Sequence, residues 1–451
     1  MKKVALHNLG CKVNAYETEA MQQMLEENGY EIVSFAEKAD IYIINTCSVT
    51  NIADRKSRQM LHKAKKQNPA AIVVAMGCYV QTSEEEAMTD AAIDILIGNN
   101  KKHDLLEILG QHEKKLEKLN AVEVKENNIT TAVIDINDKE QPFEVLHLTK
   151  TGEHTRAFIK VQDGCNQFCS YCIIPYARGR VRSQETADVV KEVRALAESG
   201  YKEIVLTGIH LSSFGIDKED NLLHLIKEVH KVEGIQRIRL GSLEPRIITE
   251  EFVEELTQLK KVCPHFHLSL QSGCDATLKR MNRRYDTIEY EERCKILRKY
   301  FVDPAITTDV IVGFPGETAD EFEQTLSYLE MIHFYEMHVF KYSKRKGTKA
   351  AVMENQVDEQ IKAKRSNLLI KLGEKMSDEY RKKFLEEENQ VLLEEKVKIN
   401  DTDYFVGYTK EYIKIAVKSE KNLENTMIIG KIQKRLTDDV YLMVEFSESL
   451  Y

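Results

Sequence analysis

The fold is restricted most by a recurring pair, a short apolar run closed by turn residues and then a helix-like stretch. In the first hundred residues the runs are VALHNLG, IYIINT, IVVAMG and IDILIG, with YETEAMQQMLEENG between the first two and KSRQMLHKAKKQ between the next two. Parallel neighbours need a long crossover, normally a helix, so this alternation predicts an open parallel sheet covered by helices. Three of the runs end in a cysteine, Cys11, Cys47 and Cys78, spaced by about one strand-helix unit. Open parallel sheets bind ligands beyond the carboxyl ends of their strands. The three cysteines are therefore expected to converge on one sheet edge.

Residues 111–150 are polar and weakly periodic, which suits a connector, and a second strand-helix series follows. Its strands read AFIKVQDG, EIVLTGIH, RIRLGSLE, HFHLSLQSG, TTDVIVGFPG and EMHVFKYS. Between them lie amphipathic stretches such as TADVVKEVRALAESG, which sets Val189, Val190, Val193, Leu196 and Ala197 on one face. Six such units predict an incomplete parallel (β/α)6 barrel, a partial TIM-like barrel with its site at the strand carboxyl ends. DEQIKAKRSNLLIKLGEKMSDEYRKKFLEEE reads as a long helix leading out of it. Five short alternating runs then predict a small antiparallel β-barrel, a shape often used on nucleic acid. The expected division is an α/β domain over 1–115, a connector over 116–148, the barrel over 149–380 and the small β-barrel over 381–451.

Composition narrows the chemistry. With 42% hydrophobic and 30% charged residues the chain can build sizeable cores, which excludes a disordered protein. MKKVALHNLGCKVN is too short in apolar residues for a signal peptide, and no run approaches the roughly 18 needed to span a bilayer. A cytoplasmic location without membrane contact is expected. Nine cysteines in that reducing compartment point to metal binding or catalysis rather than disulfides. The net charge of -9 excludes a broadly basic coat for nucleic acid and leaves room for a local groove.

The stretch GCNQFCSYC follows the first barrel strand and spaces Cys165, Cys169 and Cys172 as C-x3-C-x2-C. A 4Fe-4S cubane usually takes four thiolates, so three close cysteines leave one iron open to a small molecule. S-adenosylmethionine with an iron-sulfur centre is one carrier of radical chemistry that uses such a site. Zinc is the competing reading, but structural zinc sites are closed by a fourth ligand, and none is evident within the loop. Polar residues at strand ends are the natural cofactor contacts: Thr207, Gly208, Ser242, Glu244, Gln271 and Gly313. Glu244 is suited to accept from ribose hydroxyls. His210 faces either the cofactor or the rim, while Phe168 and Tyr171 shield the cluster or pack the barrel. Cys263, Cys274 and Cys294 fit no ligand pattern and read as structural.

Basic groups in LKRMNRRY (Lys279, Arg280, Arg283, Arg284) and KYSKRKGTK (Lys341, Lys344, Arg345, Lys346, Lys349) are placed to pair with RNA phosphates or to form a solvated face. In the last barrel Tyr404, Phe405, Tyr408 and Tyr412 either stack on bases or fill the core.

GCNQFCSYCIIPYARGR resembles the cluster loop of radical S-adenosylmethionine enzymes. With LGCKVNAYETEA, NTCSVT, MGCYVQ, LQSGCDATLKRMNRRY and TTDVIVGFPGET, nearly the whole chain resembles a methylthiotransferase of that superfamily. The resemblance implies a second 4Fe-4S cluster on Cys11, Cys47 and Cys78, and a C-terminal TRAM domain that helps hold substrate. LGCKVNAYETE, IVLTGIH, SLEP and HVFKYSKRKGTKAA resemble the branch acting on threonylcarbamoyladenosine in tRNA. Other branches act on isopentenyl-adenosine in tRNA or on ribosomal protein S12, and the outside alternative is a non-enzymatic RNA-binding protein holding zinc or a structural cluster. The implied cofactors are two 4Fe-4S clusters and S-adenosylmethionine, as radical source and methyl donor. The implied partners are tRNA, a low-potential electron donor such as flavodoxin or ferredoxin, and a sulfur source. The chemistry is then carried by the clusters, with no side chain assigned as catalytic.

Overall fold

The computed structural model describes residues 1–118, 129–138, 141–150 and 155–449. The first series forms a sheet of β1 (Lys3–Asn8), β2 (Glu31–Ile32), β3 (Ile41–Thr46), β4 (Ile72–Gly77), β5 (Ile95–Ile97) and β6 (Thr130–Ala132). Its order is β2-β1-β3-β4-β5-β6 and every pairing is parallel. Helix α1 (Lys12–Glu27) covers one face, where Met21 and Leu25 join Ile41, Ile43, Val74 and Met76. On the other face, α2 (Asn51–Gln67) packs Leu61 and Ala64 against Tyr42, Ile44 and Val73. β3 is buried along its whole length, which is why these strands read as unbroken apolar runs. β6 lies within the expected connector and pairs with β5 from Thr130 opposite Ile95. Three residues, two of them threonine, give too weak a signal to be seen as a strand without its partner. The connector stretches 119–128 and 139–140 lie outside the described residues.

The second series gives six parallel strands in an arc: β7 (Arg156–Asp163), then, after the short edge strand β8 (Arg182–Ser183), β9 (Glu203–Gly208), β10 (Arg237–Leu240), β11 (His265–His267), β12 (Ala305–Val312) and β13 (Glu336–Lys341). β8 runs antiparallel to β7. Two hydrogen-bonded sets, β10-β9-β7-β8 and β11-β12-β13, are joined by parallel bridges such as Ile238 to Val262 and Leu243 to Leu268. The expected incomplete barrel is therefore present. Its main core lies between strands and outer helices, with Val189, Val193 and Leu196 against Ile159, Ile204 and Leu206. Each such side chain contributes roughly 1.5–3 kcal/mol by leaving water.

After the helix Glu359–Lys382 come β14 (Glu388–Ile399), β15 (Thr402–Thr409), β16 (Lys414–Val417), β17 (Met427–Arg435) and β18 (Val440–Glu448), closed in the order β14-β15-β16-β18-β17. The barrel is not wholly antiparallel, because β16 and β18 run parallel. A closed ring of five strands cannot alternate direction at every pairing, so closure itself requires such a pair. This barrel docks on the amino-terminal ends of the larger one. Arg156 pairs with Glu394 at 2.6 Å, and Arg237 donates to the Tyr408 and Gln390 carbonyls at 2.8 Å each.

Two cysteine sites and the residues between them

Cys11, Cys47 and Cys78 stand just beyond β1, β3 and β4, three adjacent strands, so the expected convergence on one carboxyl edge is what the sheet order produces. Gly10 is required there. Its φ is +111°, and a Cβ would lie 2.8 Å from Cys47 Cβ, so only glycine lets the Cys11 loop close over Cys47. Asn14, in the first turn of α1, fixes both loops by donating to the Leu9 carbonyl at 2.7 Å and the Thr46 carbonyl at 3.0 Å. Asn99 donates to Cys78 Sγ at 3.6 Å. Burial pushes the Cys47 thiol up to about 12, with Cys78 and Cys11 adding to the rise.

The barrel triad sits in the loop after β7. Gly164 has φ +70°, and a Cβ there would run into the Arg180 carbonyl, so the loop turns tightly into Cys165. Asn282 donates to the Phe168 carbonyl and Ser170 to the Arg280 carbonyl, fixing the loop against the segment after β11. Arg283 donates to Cys169 Sγ at 3.1 Å. Burial raises Cys165 to about 11 and Cys172 to about 12, each also raised by Cys169. Cys11, whose thiol burial also raises, and Cys47, Cys165 and Cys172 are thus neutral thiols at ordinary pH. Loading either with metal must release protons.

Neither triad suits a single ion. Among the described residues only His267, Asp309 and His338 bring three ligating atoms all within 4.8 Å of one another. Thiolates on one tetrahedral zinc, with bonds of about 2.3 Å, would lie only about 3.8 Å apart. More widely set thiols that still sense one another's charge fit a polynuclear cluster, and three per site leave one corner open.

One residue that sequence reasoning did not find joins the two sites. Arg178 ends the loop's short helix and is fully buried. It donates to Glu17 of α1 at 2.9 Å, to Asn14 Oδ1 at 2.6 Å and to Asp163 at 3.2 Å. Lys102 and Lys160 also pair with Glu17, at 2.8 and 3.2 Å. Burial alone would raise Asp163, but Arg178, Lys160 and Arg182 outweigh it and bring its carboxyl to about 2. Asn99 adds a second tie, donating to the Ala177 carbonyl at 2.7 Å. The motif YARGR carries no signal for this role, since Glu17 lies far away in sequence.

The six proposed cofactor contacts all lie at or just beyond strand ends. Thr207 and Gly208 close β9, Ser242 and Glu244 follow β10, Gln271 follows β11 and Gly313 follows β12. Ser242 is exposed and Thr207 buried. Burial raises the Glu244 carboxyl, against the opposing charge of Arg283, which also serves Cys169. Gly313 donates to Glu317 at 2.6 Å, and a Cβ there would meet the Lys362 stem, so this glycine also serves packing. His210 bonds Ser213 at 2.6 Å and is driven down to about 4 by burial and then by Arg283 and Arg284, which leaves it neutral. Phe168 lies under Arg180 and edge-on to Tyr176. Tyr171 packs against Phe314. Cys263, Cys274 and Cys294 are buried.

Several basic and aromatic groups read as possible RNA contacts are engaged inside the protein. Arg345 is buried and bonds Asp54 at 2.6 Å and Ser48 at 2.7 Å, locking the barrel to the first domain. Arg280 pairs with Glu321 at 2.6 Å. Tyr408 and Tyr412 stack on each other at 4.4 Å, with Arg156 over both and Arg239 over Tyr412. Tyr404 and Phe405 are core. Lys279, Arg284, Lys341, Lys344, Lys346 and Lys349 remain exposed.

Comparison with known proteins agrees with this geometry. Residues 3–98 match the profile described as uncharacterized protein family UPF0004, and residues 159–329 match the radical SAM superfamily. The threonylcarbamoyladenosine tRNA methylthiotransferase MtaB of Bacillus subtilis is 42% identical over 96% of this chain and 93% of its own. Its Aquifex aeolicus namesake is 40% identical over 89% of this chain and 97% of its own. A tRNA-2-methylthio-N(6)-dimethylallyladenosine synthase of Acetivibrio thermocellus is 35% identical over 91% of this chain and 84% of its own. In fold, the chain resembles the radical S-adenosylmethionine methyltransferase TsrM of Kitasatospora setae, with a TM-score of 0.57 at 15% identity over 78% of this chain and 77% of that one.

Proposed function

This chain belongs to the methylthiotransferase family of radical S-adenosylmethionine enzymes, and from that premise we propose that it transfers a methylthio group to C2 of N6-threonylcarbamoyladenosine at tRNA position 37. The product is 2-methylthio-N6-threonylcarbamoyladenosine. The observation that carries this reading is the pair of three-cysteine sites tied together through Arg178. When bound, the two 4Fe-4S clusters and S-adenosylmethionine supply the 5'-deoxyadenosyl radical that opens C2 and the methylthio group placed there. Cys165, Cys169 and Cys172 hold the cluster that works with the cofactor, and Cys11, Cys47 and Cys78 hold the second.

The protein's own side chains then bind, orient and insulate. Thr207, Gly208, Ser242, Glu244, Gln271 and Gly313 line the strand ends where S-adenosylmethionine binds, with Glu244 on its ribose. Arg283 holds one position at the loop triad through Cys169. Arg178 and Asn14 hold the sheet-edge loops at a fixed separation from it. Lys279, Arg284, Lys341, Lys344, Lys346 and Lys349 take tRNA phosphates, a local contact that suits the acidic total charge. The working units are 1–115, 116–148, 149–380 and a substrate-holding TRAM domain over 381–451. No described helix is long and apolar enough to cross a membrane. A cytoplasmic enzyme drawing electrons from a flavodoxin or ferredoxin, and sulfur from a separate source, completes the reading.

Mass spectrometry of nucleosides from bulk tRNA tests it, comparing a strain lacking the gene with one carrying it. The thiolated nucleoside should vanish and N6-threonylcarbamoyladenosine accumulate. An unchanged pair, with loss of the methylthio isopentenyl nucleoside or of the S12 modification instead, would move the enzyme to another branch.

A further inference from the structure

The inner side of the barrel arc is open to solvent and polar. On β12 and β13, Val310, Val312 and Val339 pack outward into the main core. The alternate residues Asp309, His338 and Phe340 therefore face inward, and Phe340 is 46% exposed. Asp309 is shared by His267 at 3.3 Å and His338 at 3.2 Å.

Lys12 enters this space from the first domain. It follows Cys11 directly, at the start of α1, which packs along β7 and β9. Its charge is felt among Arg156, Arg239, Glu203 and Asp309, and it acts in turn on His265 and His338. The neighbouring charges have close partners: Arg156 has Glu394, Arg239 has Glu203 at 2.9 Å, and Asp309 has its two histidines. Lys12 is exposed and has no hydrogen bond or ion pair among the described residues. An unpaired ammonium whose charge reaches the barrel interior and its imidazoles suits an anionic ligand. An apolar isopentenyl tail would gain nothing from it.

The threonylcarbamoyl arm carries a carboxylate, and the dimethylallyl arm carries no charge. C2 and C6, the carbon that bears N6, flank N1 of the adenine ring. A cation adjoining Cys11, next to the second cluster, is therefore on the side where the arm and the reacting carbon meet. We propose that Lys12, with His338 as a weaker second contact, receives the carboxylate of the threonylcarbamoyl group and so selects this substrate over the isopentenyl one. This inference rests on the substrate reading above. Lys12 is a binding and specificity residue, with no part in the bond changes.

The test uses the holoenzyme with both clusters and two tRNA anticodon stem-loops, one carrying N6-threonylcarbamoyladenosine and one its threonyl methyl ester. Wild type should show a KM at least tenfold lower for the acid than for the ester. Lys12→Gln should raise the acid KM to that of the ester, leave the ester unchanged and keep the iron content and cluster spectrum. Lys12→Arg should recover most of the difference, and His338→Gln should move the acid alone, by less. Equal penalties on acid and ester, or none, would overturn the proposal. Should Lys12→Gln lose iron, the same comparison in His338→Gln decides. A wild-type enzyme that ignores both stem-loops yet converts a dimethylallyladenosine stem-loop would overturn the substrate reading itself, before any variant is made.

Discussion

The two cysteine sites reach the same three-thiol arrangement by opposite routes. The barrel triad lies within eight consecutive residues, Cys165 to Cys172, and its geometry is mostly that of one loop. The sheet-edge triad is drawn from three loops between Cys11 and Cys78 and exists only because β1, β3 and β4 are neighbours in register. A local site needs one well-formed turn, whereas a distributed site needs a whole domain folded. Arg178, Asn14 and Asn99 connect the two, so each site's position depends on the other's surroundings.

The largest effect that sharpens this contrast is on the local site. Cys169→Ala should abolish 5'-deoxyadenosine formation, by roughly a thousandfold or more, and reduce iron from about eight to about four atoms per chain. Loss of all the iron would mean that the two sites are not separate, and retention of all of it that Cys169 holds none. Next comes the link between them. Arg178→Ala leaves Glu17 and Asp163 facing a lost partner in a buried network, a change that typically costs about 3–5 kcal/mol. Thermal unfolding should begin several degrees lower and iron should leave both sites, whereas loss from one site alone would contradict a shared strut.

Acid should act on the same strut. The Asp163 carboxyl titrates near 2 in the folded protein, below its ordinary value of 3.8. Its stabilisation, on the order of 2 kcal/mol, is thus complete above about pH 4 and lost as pH falls towards 2. Asp163→Asn should flatten the stability curve in that window, and an unchanged acid slope would show that this carboxylate does not stabilise the buried network around Arg178. A pH effect of opposite sign concerns Glu192, on the barrel helix Thr186–Glu198, whose carboxyl burial raises to about 8 against the lowering influence of Tyr16 of α1 and Gln184. Its folded value lies above the unfolded one, so stability falls as pH rises from about 4.5 towards 8. Glu192→Gln removes that loss and should raise the melting temperature by several degrees at pH 8 and hardly at all at pH 5; an equal gain at both would contradict a buried, protonated carboxyl.

Much of this was legible in the sequence, and the division follows the range of the interactions. Strand runs such as IYIINT and AFIKVQDG, and the C-x3-C-x2-C spacing, are local signals, and they placed the parallel sheet, the barrel arc and the loop cysteines. Convergence of Cys11, Cys47 and Cys78 followed from topology, since all three end strands of one series. β6 escaped because a three-residue strand depends on its partner, and β8 because two residues carry no periodicity. Charged residues were the hardest to place. Arg345 and Arg280 look like phosphate ligands in basic runs, yet their partners Asp54 and Glu321 come from other parts of the chain. Arg178 and Lys12 carry no local signal for the same reason: one acquires its role from Glu17 and Asn14, the other from charges on several barrel strands, Arg156, Arg239, Glu203 and Asp309 among them.

The central claim is that two open clusters divide the work, one making the radical and one supplying the methylthio group. Cys47→Ala, reconstituted anaerobically, reduced and given substrate tRNA with S-adenosylmethionine, tests it most directly when 5'-deoxyadenosine and the methylthio nucleoside are measured together. The account predicts 5'-deoxyadenosine within a few-fold of wild type and no methylthio product. Methylthio product at the wild-type rate, or loss of both products with the barrel cluster still loaded, would contradict it.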